Sequence, residues 1–301
     1  MRNMIDAVGM YREHLTRVKH CSPNTLSSYM RDIGQFTDYC ARREETDLAG
    51  ADEDLLIRYA DFLQRSGKSE STQMRAFASL RGFFDYLVAA GLCTENPAKH
   101  LRREQTQARH VPEILTVREV QQMLEQPRGN DFKGCRDRAM LQLMYATGVK
   151  VGELVQMQVS DLNLTVGVVQ LRDERKERTV PIYPQAVQCL KEYLNTARPS
   201  VVLDRQQTCL FTNKNGQPLS RQGLWKIVKS YAESAGIHKD ITPLTLRHSF
   251  AAHLLENGAD LAEVKEMLGH ADISTTAIYA TLVKNKYASS YSKFHPFAKI
   301  K

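Results

Sequence analysis

Hydrophobic positions recur at helical spacing along most of the chain, and the pattern turns to alternation only once. Val8, Tyr11, Leu15 and Val18 mark a helix over 7–18. Leu26, Tyr29, Met30, Ile33 and Phe36 mark a second, opened by Ser22 as a cap with Pro23 at the first helical position. Leu55, Leu56, Tyr59 and Leu63 follow Asp52 as a third, stopped by Ser66-Gly67. Met74, Phe77, Leu80, Phe84 and Leu87 line a fourth over about 71–90, with Gly91 as its stop. Residues 1–100 are therefore expected to form a small four-helix bundle.

Asn96-Pro97 breaks the helical pattern, and Leu101–Pro112 (LRREQTQARHVP) is polar, basic and poor in apolar residues, so it reads as a linker. A second domain, 113–301, opens near Thr116 with Thr116 and Glu119 spaced as a capping box. A helix over 136–147 buries Met140, Leu143, Met144 and Tyr145, Gly148 stops it, and Lys150-Val151-Gly152-Glu153-Leu154 starts another. The alternating stretch comes next: Val166–Leu171 and Arg178–Tyr183 read as two strands of a hairpin with a charged tip, Arg172–Glu177. Helices over Gln185–Thr196 and Arg221–Ala235 follow. The fold class is mainly α with a small β-hairpin or sheet: a helical N-terminal domain, then a mixed α/β domain.

Three short helical patterns close the series in Thr242–Val283. Leu246, Phe250, Leu254 and Leu255 carry Arg247 and His248 on a packed helix. Asp260 caps a helix with Leu261, Val264, Met267 and Leu268 on its apolar face, Gly269 ends it, and His270 lies just past the stop. Ser274, Thr275 and Thr276 then open a turn bearing Tyr279. Each polar group also has a plainer reading: Arg247 as a buried ion-pair partner of an acid such as Glu153, His270 as a helix cap, Tyr279 as a core aromatic.

Composition narrows the choice. At 301 residues the chain suits two domains, and no run of eighteen apolar residues suggests a membrane span. The N-terminus lacks the apolar core of a signal peptide, and six scattered cysteines without a C-x-x-C pair read as reduced thiols, so a cytoplasmic protein is expected. The formal charge is +7, and it is uneven: residues 1–110 hold 16 basic against 15 acidic side chains, residues 111–301 hold 25 against 19. A basic excess beside the Arg/His/Tyr stretch favours an anionic partner, most simply nucleic acid. Lys68, Arg75 and Arg81 around the fourth helix, and Arg172 and Arg221 in the second domain, are candidate phosphate contacts; each also reads as a solvated charge. No P-loop, G-x-G-x-x-G or metal-ligand spacing is present, and no cofactor or metal is expected.

In order along the chain, SPNTLSSY at 22–29, ATGVKVGELVQMQVSD at 146–161, KERTVPI at 176–182, LRHSFAAHLLENG at 246–258 and LGHADISTTAIY at 268–279 resemble the tyrosine recombinases of the phage-integrase family, closest in layout to the Xer-type site-specific recombinases. The resemblance implies a SAM-like core-binding domain and a catalytic domain, and the two are expected to clamp duplex DNA. The basic tail from about 284 interleaves Tyr287, Tyr291, Phe294 and Phe297, which would otherwise be exposed, so it is expected to pack on its own or a neighbouring subunit. The resemblance implies a tetramer on DNA, and allows a second recombinase as partner. It also implies the chemistry: a tyrosine hydroxyl attacks a phosphodiester, giving a 3′-phosphotyrosyl link and a free 5′-hydroxyl that can be rejoined without ATP. Tyr279 would be the nucleophile, Arg247 a phosphate-binding fork, and His270 a hydrogen-bond donor to the phosphate or leaving oxygen.

Three positions depart from the family pattern. Lys150 stands where an arginine is expected, replacing a fork by a point charge. Asp173 falls where the hairpin usually carries its lysine, with Arg172 and Lys176 as nearby substitutes. Leu244 occupies the place of a histidine three residues before the arginine. His248, one turn further along the helix, is found in many family members and reads first as a packing or supporting residue. The expectation is a working recombinase with a weakened site that includes Lys150 and Lys176. The alternative is a cleavage-deficient DNA-binding homologue acting as an architectural or regulatory partner.

Overall fold

The computed structural model describes residues 4–45, 51–101, 112–173, 176–204 and 206–281. The chain divides into two compact units, Met1–Ala108 and Arg109–Lys301. The linker at 101–112 and the tail from 284 fall almost wholly outside the described residues, as do the central two residues of the hairpin tip.

In the first unit, α1 (Met4–Arg17), α2 (Pro23–Ala41), α3 (Glu53–Arg65) and α4 (Glu70–Ala89) follow the apolar spacing. Their starts are set locally: the Ser22, Asp52 and Ser69 side chains accept from the backbone N–H of Thr25, Leu55 and Thr72. Ile33, Phe36, Leu56, Tyr59, Leu80, Phe83 and Phe84 fill the core. The buried face of α4 is wider than its apolar stripe, because Gln73 and Ser79 are buried too. Ser79 and Arg75 both donate to Asp32 on α2, each contact at 2.9 Å, so a charged pair ties α2 to α4. Arg81 in turn donates to the Leu101 carbonyl at 2.8 Å. Two of the candidate phosphate contacts thus hold the domain's own structure together, while Lys68 is exposed.

The second unit begins with α5 (Val117–Leu124), whose Thr116–Glu119 capping box is formed. Next, α6 (Phe132–Thr147) is buried on nearly every side, and α8 (Pro184–Glu192) and α10 (Pro243–Glu256) pack against it. Tyr145 is only partly buried, because its hydroxyl meets His253 Nδ1 at 2.9 Å at the edge of the core. After α7 (Val151–Gln156) comes a three-stranded antiparallel sheet in sequence order, β1 (Leu162–Asn163), β2 (Val168–Arg172) and β3 (Glu177–Pro181). β1 has two residues, too few to show alternation. β2 starts later than its apolar run because Gly167 turns the chain at φ 77 and leaves Val166 exposed.

Val169 pairs with Val180 and Leu171 with Arg178, so Arg178 occupies an inward position of β3. Helix α8 ends as α-helix at Glu192, short of the expected Thr196, and continues through a π turn at Tyr193–Ala197. The remaining elements are α9 (Arg221–Ser234), α10, α11 (Leu261–Leu268) and a last helix, α12, over 274–281. Among the described residues no helix is long and apolar enough to cross a membrane.

Candidate active site

Two helix ends make the floor of the site. Gly148 closes α6 at φ 58, where a side chain would be strained and a Cβ would lie 2.5 Å from a Phe250 ring carbon. Gly269 closes α11 at φ 67, with the Arg178 guanidinium packed where its Cβ would be. Both turns aim carbonyls at one point, since the last C=O groups of a helix have no partner within it. Arg247 fills that point: Nη1 donates to Gly148 O at 2.5 Å and Nη2 to Leu268 O at 2.7 Å. Only 4% of the residue is exposed. Burial pulls its pKa down to about 10, partly opposed by Glu153, so it stays charged at neutral pH.

Arg247 Nη2 also lies 3.0 Å from His270 Nε2, and His270 Nδ1 lies 2.8 Å from Thr276 Oγ1. A guanidinium can only donate, so Nε2 accepts and Nδ1–H donates to Thr276. Burial, then the charges of Arg247, Lys150 and Arg178, push the His270 pKa down to about 4, and the ring is neutral at physiological pH. Tyr279, on α12, is 3% exposed and packs with Phe250, Val264 and Leu268. Its hydroxyl meets His248 Nδ1 at 2.7 Å. Burial raises the phenol's pKa, with Arg247 pulling the other way.

A buried strut fixes these pieces to the sheet. Arg178 donates to both Glu153 oxygens, at 2.7 and 2.9 Å, and through Nε to Met267 O at 2.6 Å. Glu153 Oε2 also accepts the Lys150 backbone N–H at 2.8 Å, capping α7. The acid expected for Arg247 therefore belongs to Arg178. The signal for it was the alternation of the Arg178–Tyr183 run, which puts position 178 on the inner face.

Lys150 Nζ lies 2.7 Å from Asp173 Oδ2, so two of the three departures from the family pattern form an ion pair. Asp173 Oδ1 accepts the Lys176 backbone N–H at 3.0 Å, and the Lys176 side chain is exposed at the rim. Leu244 is 54% exposed at the start of α10. Arg172 pairs with Asp161 and Glu177, while Arg221, exposed, lays its guanidinium against Gly152. The structure thus brings Lys150, Asp173, Arg247, His270 and Tyr279 together, and adds His248 and Thr276 as direct contacts of the last two.

The fold, with a buried tyrosine set beside an arginine and a histidine, is of the kind expected for a DNA-strand transferase of the tyrosine class. Residues 113–286 match the phage integrase family, and residues 8–91 match the phage integrase N-terminal SAM-like domain. The chain belongs to the phage integrase family of tyrosine recombinases, on its Xer-like side. It is 41% identical to tyrosine recombinase XerD of Halalkalibacterium halodurans, over 95% of this chain and 96% of that one. With the XerD of Listeria innocua it shares 40% identity over 98% and 100% of the two chains. Among solved structures, the fold resembles the XerH site-specific recombinase bound to palindromic difH substrate in a post-cleavage complex. The TM-score there is 0.76 at 23% identity, covering 95% of this chain and 84% of that one. A lambda integrase dimer bound to a COC' core site gives a TM-score of 0.70 at 18% identity, covering 92% and 95%.

Proposed function

We propose that the chain cuts and rejoins duplex DNA at a specific site, with Tyr279 as nucleophile and Arg247 as the principal phosphate ligand, acting as a tetramer on paired sites in the cytoplasm. The first unit serves as the core-binding domain and the second as the catalytic one. The observation that carries the reading is the chain of contacts from Gly148 and Leu268 through Arg247 to His270 and Thr276, with Tyr279 beside it. A phosphate oxygen is a stronger acceptor for a guanidinium than a carbonyl or an imidazole nitrogen. On its arrival Nη2 turns to the phosphate and His270 Nε2 is released; the phosphate's negative charge favours the imidazolium, Nε2 takes a proton from solvent, and the ring passes that proton to the leaving 5′-oxygen. Lys150 adds a point charge, and the rate is limited by the missing fork. Lys68 and Arg221 carry exposed charge for the flanking phosphates.

The Lys150–Asp173 pair favours a second reading, in which the site is neutralised and the chain binds DNA without cutting it. One experiment separates the two. Nicked duplexes built on a site selected for binding from random sequence are incubated with wild type and Tyr279→Phe, and covalent adducts are counted beside mobility shifts. An adduct from wild type alone, with equal binding by both, supports cleavage. Binding without adduct from either supports the second reading.

A further inference from the structure

We propose that His248 takes the proton from the Tyr279 hydroxyl as that oxygen attacks phosphorus, and returns it when the strand is rejoined. The proposal rests on the cleaving reading above. His248 Nδ1 and Tyr279 Oη are 2.7 Å apart across 31 residues of sequence, with the rings tilted at 49°. The contact joins two firmly held helices. α10 starts at Pro243 behind a Thr242 cap, and α12 is pinned at Thr276 by His270. Position 248 is four residues beyond Leu244, so the two share one face of α10 a turn apart. The imidazole that this site lacks at 244 is supplied from the next turn, on the nucleophile's side of the phosphate.

The chemistry suits the direction of transfer. The phenol enters the reaction protonated, because burial raises its pKa. A proton acceptor must be neutral beforehand, and burial followed by the adjacent Arg247 brings His248 down to about 4. Nδ1 then accepts and Nε2 carries the ring proton. As Oη bonds to phosphorus, its proton passes to Nδ1, the P–O5′ bond breaks, and the 5′-oxygen is protonated from the other side of the site. In the reverse step the 5′-hydroxyl attacks phosphorus, and the tyrosine oxygen leaves with the proton held on His248. Positive charge on the ring forms as negative charge builds on the phosphorane, and it persists beside the anionic phosphotyrosyl diester, whose charge offsets the opposing field of Arg247. The groups facing His248 are Arg247 on its own helix, Tyr279 on α12 and His270 after α11.

His248→Asn keeps an oxygen near the Nδ1 position, so it preserves the hydrogen bond while removing the base. We expect DNA binding to persist and single-turnover adduct formation to fall about 10²–10⁴-fold, the usual worth of a positioned general base. The ratio of the variant's rate to the wild-type rate should climb with pH between 6 and 9, where His248 is already neutral in the wild type and hydroxide can stand in for the missing base. A substrate with sulfur at the bridging 5′ position needs no leaving-group proton, and it should leave the His248→Asn deficit intact. In the intact protein, ¹⁵N NMR should show His248 Nδ1 as an unprotonated acceptor that shifts in Tyr279→Phe. His248→Asn cleaving at the wild-type rate with the wild-type pH profile would overturn the proposal, as would an Nδ1-protonated tautomer or rescue by the sulfur substrate. Failure of wild type itself to form an adduct would instead strike the cleaving reading, and His248 with it.

Discussion

Removing the charge of Asp173 should speed cleavage. The Lys150 ammonium stands where an arginine is expected, and it is 2.7 Å from the Asp173 carboxylate. At that distance two unit charges attract by about 6 kcal/mol with an effective dielectric constant of about 20. The Lys150 side chain is 40% exposed and that of Asp173 is 24% exposed, so water and salt reduce the net worth to about 0.5–1 kcal/mol. A phosphate must exceed that amount to capture the ammonium. Asp173→Asn removes it, and at about 1.4 kcal/mol per factor of ten the adduct-forming rate should rise about 2–5-fold.

Lys150→Arg alone should gain less than a free fork would, because the new guanidinium can also be held by Asp173. Combined with Asp173→Asn, it should exceed the product of the single effects, as coupled neighbours do. The assay is single-turnover adduct formation on the nicked duplex, with saturating protein so that binding drops out. A slower Asp173→Asn with intact fold would refute the reasoning and make Asp173 an aid to Lys150 positioning.

Glu153→Gln leaves Arg178 buried without a counter-charge, and urea unfolding should show a loss of about 3–5 kcal/mol from the second unit; a change below about 1 would count against the strut. Gly269→Ala forces a left-handed φ on a residue whose Cβ meets Arg178, and the same measurement should give a loss of about 1–3 kcal/mol, with reduced cleavage in the survivors. His248 and His270 both have folded pKa values of about 4, below the ordinary value near 6.5. The unfolded chain therefore binds more protons between those limits, and stability is kept above about 6.5 and lost as pH falls toward 4. Thermal melts across pH 4–8 should show this slope, and it should shrink in His248→Asn.

The bundle was legible because its signals are local: Ser22 and Asp52 sit next to the helices they cap, and Phe36 and Phe84 recur at the right spacing. The second unit yielded its helix ends the same way, through Gly148 and Gly269. Strand β1 escaped because two residues carry no period, and the end of α8 escaped because a π turn keeps apolar positions in helical order. Arg247, His270 and Tyr279 stand out in the sequence through their family motif, and the structure brings them close together, but the tautomer of His270 needs the distances to Arg247 and Thr276. Lys150 and Asp173 each looked like a separate loss; 23 residues apart in sequence, they gave no sign of meeting. The contact between His248 and Tyr279 is hidden for the same reason, since the two lie 31 residues apart with a helix between them.

The strut between Glu153 and Arg178 has a consequence for how such a protein can change over generations. One carboxylate holds the start of α7, the inner face of β3 and, through Arg178, the end of α11. The side chains of Lys150 and Asp173, both partly exposed, hang from this frame and contribute little to it. Lys150 and Asp173 can therefore be exchanged, and position 244 can lose its imidazole, while the backbone beneath them stays in register. Selection can retune the speed of strand exchange by rewriting these outward ends, at small risk to folding.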